Sequence, residues 1–177
     1  LMLWECPSLD KKKSIGVDVH SYDSPKEVII DGQQRLTSLY AVMKGKKVIN
    51  SKFDEKSIVI SYCPLQNKFE VGYQATKNDP EWIYNISDLF TSTNTFKFIG
   101  DFIKKLGDYR STKGSELTDE EQGLIADRIN GVVNLKSHTL PVFDIKSTAE
   151  EEDVSEIFVR VNSGGVSLKQ NDFILLS

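Results

Sequence analysis

The stretch Ile29-Ile30-Asp31-Gly32-Gln33-Gln34-Arg35-Leu36-Thr37 decides the architecture of this chain. Glu27-Val28-Ile29-Ile30 is rich in β-branched residues, which pack well on a pleated surface, so it reads as a strand. Asp31-Gly32 interrupts that strand, because glycine tolerates positive φ and marks a tight turn. Beyond the turn, Leu36, Leu39, Tyr40 and Met43 recur at i, i+3, i+4 and i+7, the spacing of one helix face, and Gly45 is placed to end that helix. A strand that turns sharply into a helix leaves the helix's first backbone N–H groups without partners. These donors and the helix dipole favour an anion. Gly32 lets the backbone approach the bound group, and Arg35 offers a planar fork for two phosphate oxygens. Gln33 and Gln34 can both donate and accept, which suits orienting a water or reading a base edge. Asp31 beside a phosphate has three uses: it holds a metal ion, accepts a proton from water, or caps the helix. The same string also has a purely structural explanation, with Asp31 as a cap, Gly32 as a turn residue and Arg35 on the surface.

On the N-terminal side, the apolar run from Leu1 to Cys6 closes at Pro7 and reads as a buried strand, and residues 8–26 are polar and punctuated, as in a surface loop. On the C-terminal side, residues 57–62 and 68–73 flank a polar turn and predict an antiparallel pair. Phe96, Ile99, Ile103 and Leu106 predict one helical stripe. Thr118 with Glu121 predicts a capping box for a helix carrying Ile125, Ile129, Val132 and Val133. Residues 107–115 between these two helices read as a flexible linker. Residues 139–145 return to strand character around Pro141, at an edge or strand end. A further helix over 150–161 places Val154, Ile157, Phe158 and Val161 on one face, ends at Asn162-Ser163-Gly164-Gly165, and is followed by a helix capped by Ser167 and Gln170.

The chain has 177 residues, 39% of them hydrophobic, enough for one core. Its 22 Lys+Arg against 26 Asp+Glu, net −4, argue against attachment to nucleic acid by bulk positive charge and leave room for a local basic groove. No apolar run reaches membrane-spanning length, so a cytoplasmic protein without membrane contact is expected, with Cys6 and Cys63 as reduced thiols. His20 and His138 lie far apart without metal-ligand spacing, and no P-loop string occurs. The chain starts at Leu1 and stops inside a predicted helix, so it reads as a piece of a longer protein.

Two blocks carry a resemblance. Asp31-Gly32-Gln33-Gln34-Arg35 resembles the DGQQR signature of the DUF262 family, which includes the N-terminal domains of GmrSD-type modification-dependent restriction enzymes. The stretch from Glu156-Ile157-Phe158-Val159-Arg160 through Val161-Asn162-Ser163-Gly164-Gly165 to Leu168 is similar to the family's F-x-R-x-N-x-G-G-x-x-L block, in the expected order. The resemblance implies an α+β fold with a small mixed sheet of ParB/sulfiredoxin-like type followed by a helical part. It implies residues 1–146 as that domain, with a helical insertion at about 87–135, and 147–177 as the start of a helical region. It implies binding, and in one version hydrolysis, of a nucleoside triphosphate, coupled to restriction of modified foreign DNA. Asp31, Gln33, Gln34 and Arg35 would be the catalytic element, with Gly32, Arg35, Thr37, Arg160, Asn162 and Gly165 binding the nucleotide and Asp31 holding Mg²⁺. The second block either lines the same pocket or is a helix end packed on the sheet. DNA would be reached through the full-length protein or a partner nuclease domain, since nothing here resembles an HNH nuclease, and a homo-oligomer is compatible with the sequence. The competing reading is a non-enzymatic DNA-binding or regulatory module that uses the same turn to hold a backbone phosphate. In a third, the motifs only maintain the fold.

Overall fold

A computed structural model describes residues 1–5, 27–49 and 53–163. In chain order the elements are β1 (Met2–Trp4), β2 (Val28–Asp31), α1 (Gln33–Lys44), β3 (Lys47–Ile49), β4 (Glu55–Ser57), β5 (Ile60–Cys63), β6 (Lys68–Val71), α2 (Gln74–Asn78), α3 (Ser87–Thr91), α4 (Thr95–Thr112), α5 (Asp119–Asn134), a short 3₁₀ turn (Leu135–Ser137), β7 (Phe143–Ile145) and α6 (Glu151–Ser163). The fold is α+β with a small mixed sheet, as the sequence predicts. The chain divides into two compact units, one of Leu1–Gln34 with Leu140–Ser177, the other of Arg35–Thr139.

In the first unit β1 is the central strand, antiparallel to β2 and parallel to β7. Met2 sits opposite Asp31 and Leu3 opposite Ile29, so the ladder skips Ile30. Such an extra residue bends a strand and re-aims its side chains. Ile30 packs with Trp4, Ala149, Ile157 and Phe158 against buried Met2, Ile145 and Val154. The predicted apolar face of α6 is therefore correct for Val154, Ile157 and Phe158, whereas Val161 is 54% exposed. Phe158 is the last described α6 residue in that cluster, and Val161 lies three residues beyond it. Glu5 Oε1 pairs with Lys146 Nζ at 2.8 Å just beyond the paired ends of β1 and β7. The Lys146 hydrogen bond holds the Glu5 carboxyl below its usual range and raises Lys146 in turn.

In the second unit α4 and α5 pack through Ile99, Phe102, Leu106, Ile125, Ile129 and Val132 onto Tyr62, Ile83, Leu89 and Phe90. The capping box is present: Glu121 N–H donates to Thr118 Oγ1 at 3.2 Å, and Thr118 N–H donates to Glu121 Oε2 at 3.0 Å. The predicted linker at 107–115 is corrected, because α4 continues to Thr112. Tyr109 packs on the core, and Arg110 bridges Glu121 at 2.9 Å and Glu81 at 3.5 Å, interactions that outweigh the weak helix propensity of Gly107. The α4 stripe is also shifted: Phe102 is buried, while Phe96, in the first turn, is 85% exposed.

The β5–β6 hairpin pairs Tyr62 with Phe69, whose rings stack at 4.5 Å. It is shorter than the predicted pair, because Ser57 instead belongs to β4. Arg128 of α5 donates to the carbonyls of Pro64 and Leu65 in its turn, at 2.7 and 2.6 Å. Gly72 is required by close approach: a Cβ there would lie 2.4 Å from Val59 Cγ1. Burial pushes the Cys63 thiol up, which favours its protonated form. Cys6, His20 and the predicted helix after Ser167 lie outside the described residues.

Candidate functional site

The strand-turn-helix predicted around Asp31 is present. β2 ends at Asp31, Gly32 is buried with φ of 93°, and α1 begins at Gln33. Only a residue without Cβ adopts that φ without strain, so Gly32 is what lets the strand turn directly into the helix. Gln33 Nε2 reaches back across the turn to donate to the Ile29 carbonyl at 2.7 Å, which ties the helix start to the strand. Gln33, Gln34 and Arg35 are exposed, and Asp31 and Thr37 are half-buried. Asp31 and Arg35 both make interactions in the fold. Asp31 to Gln34 belong to the first unit, whose boundary falls inside α1 just before Arg35.

α1 ends as the sequence predicts. Gly45 has φ of 62°, its N–H donates to Val42 at 3.3 Å, and Lys46 N–H donates to Ala41 at 2.8 Å, the paired bonds of a Schellman cap. The predicted apolar face of α1 is corrected: Ala41 and Val42 are buried, whereas Leu39 and Tyr40 are 41% and 53% exposed. Periodicity identifies a stripe of large side chains, but the small residues on another face are the ones that allow close packing.

The second block lies on α6, in the same unit as Asp31 to Gln34. Ile30, immediately before the motif, and Phe158 share one apolar cluster, so the strand end and the helix rest on the same core. Arg160 is exposed and pairs with Glu156 at 2.6 Å, one turn earlier. Asn162 Nδ2 donates to the Phe158 carbonyl at 2.9 Å. Gly165 lies outside the described residues. Arg160, Glu156, Asp153, Ile157, Thr148 and Ala149 line an open groove of about 370 Å³. The sequence reading missed this groove, although positions 153, 156, 157 and 160 carry the i, i+3, i+4, i+7 spacing of one helix face. Among the described residues, no three His, Cys, Asp or Glu side chains form a metal-holding group.

The family model of the GmrSD restriction endonuclease N-terminal domain matches residues 1–176. The chain belongs to that family. No curated protein and no solved structure matches it. The resemblance carried by two short blocks thus extends over the whole chain, including the helical middle whose residues carry no motif. A GmrSD N-terminal domain is part of a restriction protein, and so of defence against foreign DNA. Among the described residues, no helix is long and apolar enough to cross a membrane.

Proposed function

We propose that this GmrSD N-terminal domain binds a nucleoside triphosphate at the start of α1 and hydrolyses it to control DNA restriction by the longer protein or a partner nuclease domain. The observation that carries the reading is the β2–Gly32–α1 turn, in which a buried left-handed glycine delivers the chain into a helix whose first residues are exposed. The first N–H groups of α1 and its dipole favour the phosphates. Arg35, in the first turn of the helix, supplies a bidentate fork that stabilises charge on the transferred group. The Gln33 side chain is oriented by its bond to Ile29, which leaves its Oε1 to position a water. Mg²⁺ commonly takes one or two carboxylates and fills its remaining positions with phosphate oxygens and water, so the single carboxylate of Asp31 suits it. Gln34 and Thr37 extend the contact along α1, and Arg160, Asn162 and Gly165 contribute from the second block. A homo-oligomer is compatible with this role.

Isothermal titration of the intact chain with GTP, ATP and CTP in the presence of Mg²⁺ tests the reading. One of the three is expected to bind, with Arg35→Ala weakening it about tenfold or more, the scale of one charge-assisted hydrogen-bonding partner. Equal binding by the variant, or binding of none of the three, overturns it. Loss of turnover in Asp31→Asn with nucleotide affinity retained would assign Asp31 to hydrolysis.

A further inference from the structure

We propose that the β3–β4 ribbon is a duplex-DNA contact, with lysines for backbone phosphates and Phe53 as an apolar group for the bases. The inference rests on membership of a DNA-restriction family and concerns a surface apart from the Gly32 turn.

All but one of the six strand residues of β3 and β4 are exposed, Val48 being half-buried. A ribbon that buries so little gains almost nothing from packing, and its exposed side chains are open to a partner. Lys56 is the cross-strand partner of Val48, and Lys46 lies two residues before Val48, so both lysines continue one side of the ribbon. Lys44 ends α1 immediately upstream. Among the described residues, Lys44, Lys46 and Lys56 are exposed and form no ion pair. The ribbon's two carboxylates are both engaged: Glu55 is held by Lys47 at 3.0 Å, and Asp54 also makes an interaction. Among the described residues, Lys44, Lys46, Lys47 and Lys56 against Asp54 and Glu55 leave this element net positive.

Phe53 is 90% exposed and adopts φ of 61°, a left-handed conformation uncommon for any residue but glycine and costly for a bulky one. Neither burial nor backbone preference accounts for a phenylalanine there. An exposed aromatic ring two residues before β4, on an element that also carries exposed lysines, is a pattern that stacks on or wedges between bases while cations take the phosphates. A two-stranded ribbon also has the width that a major groove admits.

Charge is distributed in the same sense. The unit Arg35–Thr139 contains 15 Lys+Arg and 13 Asp+Glu, whereas the other unit contains 7 and 13. The net −4 of the chain thus conceals one basic and one acidic unit, and the ribbon belongs to the basic one.

Fluorescence anisotropy of a short plain DNA duplex with the intact chain, titrated across salt, tests the proposal. A plain duplex suffices because phosphate contacts carry no sequence information. Lys46→Ala/Lys56→Ala is expected to weaken binding and reduce the salt slope by about 2, at roughly 0.9 for each phosphate no longer neutralised. Phe53→Ala is expected to weaken binding about tenfold with the slope unchanged. Lys104→Ala/Lys105→Ala on the exposed side of α4 should change neither. Wild-type affinity and slope in both ribbon variants overturn the proposal, as does an equal loss of slope in the α4 variant or the absence of duplex binding by wild type at low salt. Calorimetry separates this outcome from the nucleotide reading: the Lys46→Ala/Lys56→Ala chain should bind triphosphate as wild type does, and Arg35→Ala should bind duplex as wild type does.

Discussion

Among the described residues, the unit Arg35–Thr139 buries twelve hydrophobic side chains in one cluster, whereas the unit that carries Asp31 to Gln34 and Arg160 buries three. The larger core is assembled mainly from two long helices, α4 and α5, and closed by a side chain–backbone clasp from Arg128. The smaller one is assembled from strands of three and four residues and one helix. Stability and motif chemistry are thus unequally shared. Cooperative burial grows with the number of interlocked side chains, while a ligand site needs only a rigid turn and exposed donors. The smaller unit holds the Gly32 turn without a large core.

A matched pair of truncations tests that contrast most strongly. Ile129→Ala, at a fully buried position of α5, should cost about 4–5 kcal/mol by urea unfolding, because a helix pair that is locked on several sides cannot collapse around the cavity. Ile145→Ala, on edge strand β7, should cost about 2 kcal/mol, because the small cluster around it can relax. Equal losses would break the comparison.

Next in size is Gly72→Ala, whose new methyl must displace Val59. About 1–3 kcal/mol should be lost, read by the shift in unfolding midpoint, with nucleotide and DNA binding unchanged. Thr118→Ala should cost about 1 kcal/mol by removing the α5 cap, with the loss visible as faster amide exchange in the first turn of α5.

The smallest expected effect is the pH dependence. The Thr118 backbone N–H, with Arg110, lowers the Glu121 carboxyl below its ordinary 4.5. A depressed carboxyl contributes stability above its unfolded value and loses it as pH falls through the folded one, so Glu121→Gln should flatten the acid limb of a stability–pH curve. Glu5 behaves likewise in the other unit, but its partner Lys146 is raised, and a raised lysine loses its contribution as pH climbs through the folded value. Glu5→Gln should therefore alter the alkaline limb as well, which Glu121→Gln should not. Two-dimensional NMR of the Lys146 and Arg110 side chains against pH would separate the two pairs.

Much of the fold was legible where its cause is local. The β2 strand, the Gly32 turn, the Gly45 helix end and the Thr118–Glu121 box each depend on residues within five positions of one another, and their physics is complete in a short window. The α5 stripe was legible because Ile125, Ile129 and Val132 face a helix nearby in sequence. What failed was the choice of face. Leu39, Tyr40, Phe96 and Val161 all fit an apolar stripe and are all exposed, because a stripe announces burial without saying how far the covering element extends. The linker expected at 107–115 became helix because Arg110 found Glu81 and Glu121, partners invisible to propensity.

By itself the sequence determined that this chain is an α+β member of a restriction family with a strand-turn-helix at Asp31-Gly32, since glycine conformation, capping and β-branching act over a few residues. Only the tertiary structure decided that Leu3 pairs with Asp144 across the length of the chain, that Ile30 is the skipped residue beside the motif, and that Lys56 lies across from Val48 on a largely exposed ribbon. Those facts depend on which distant segments exclude water from which faces, and no local window contains both partners.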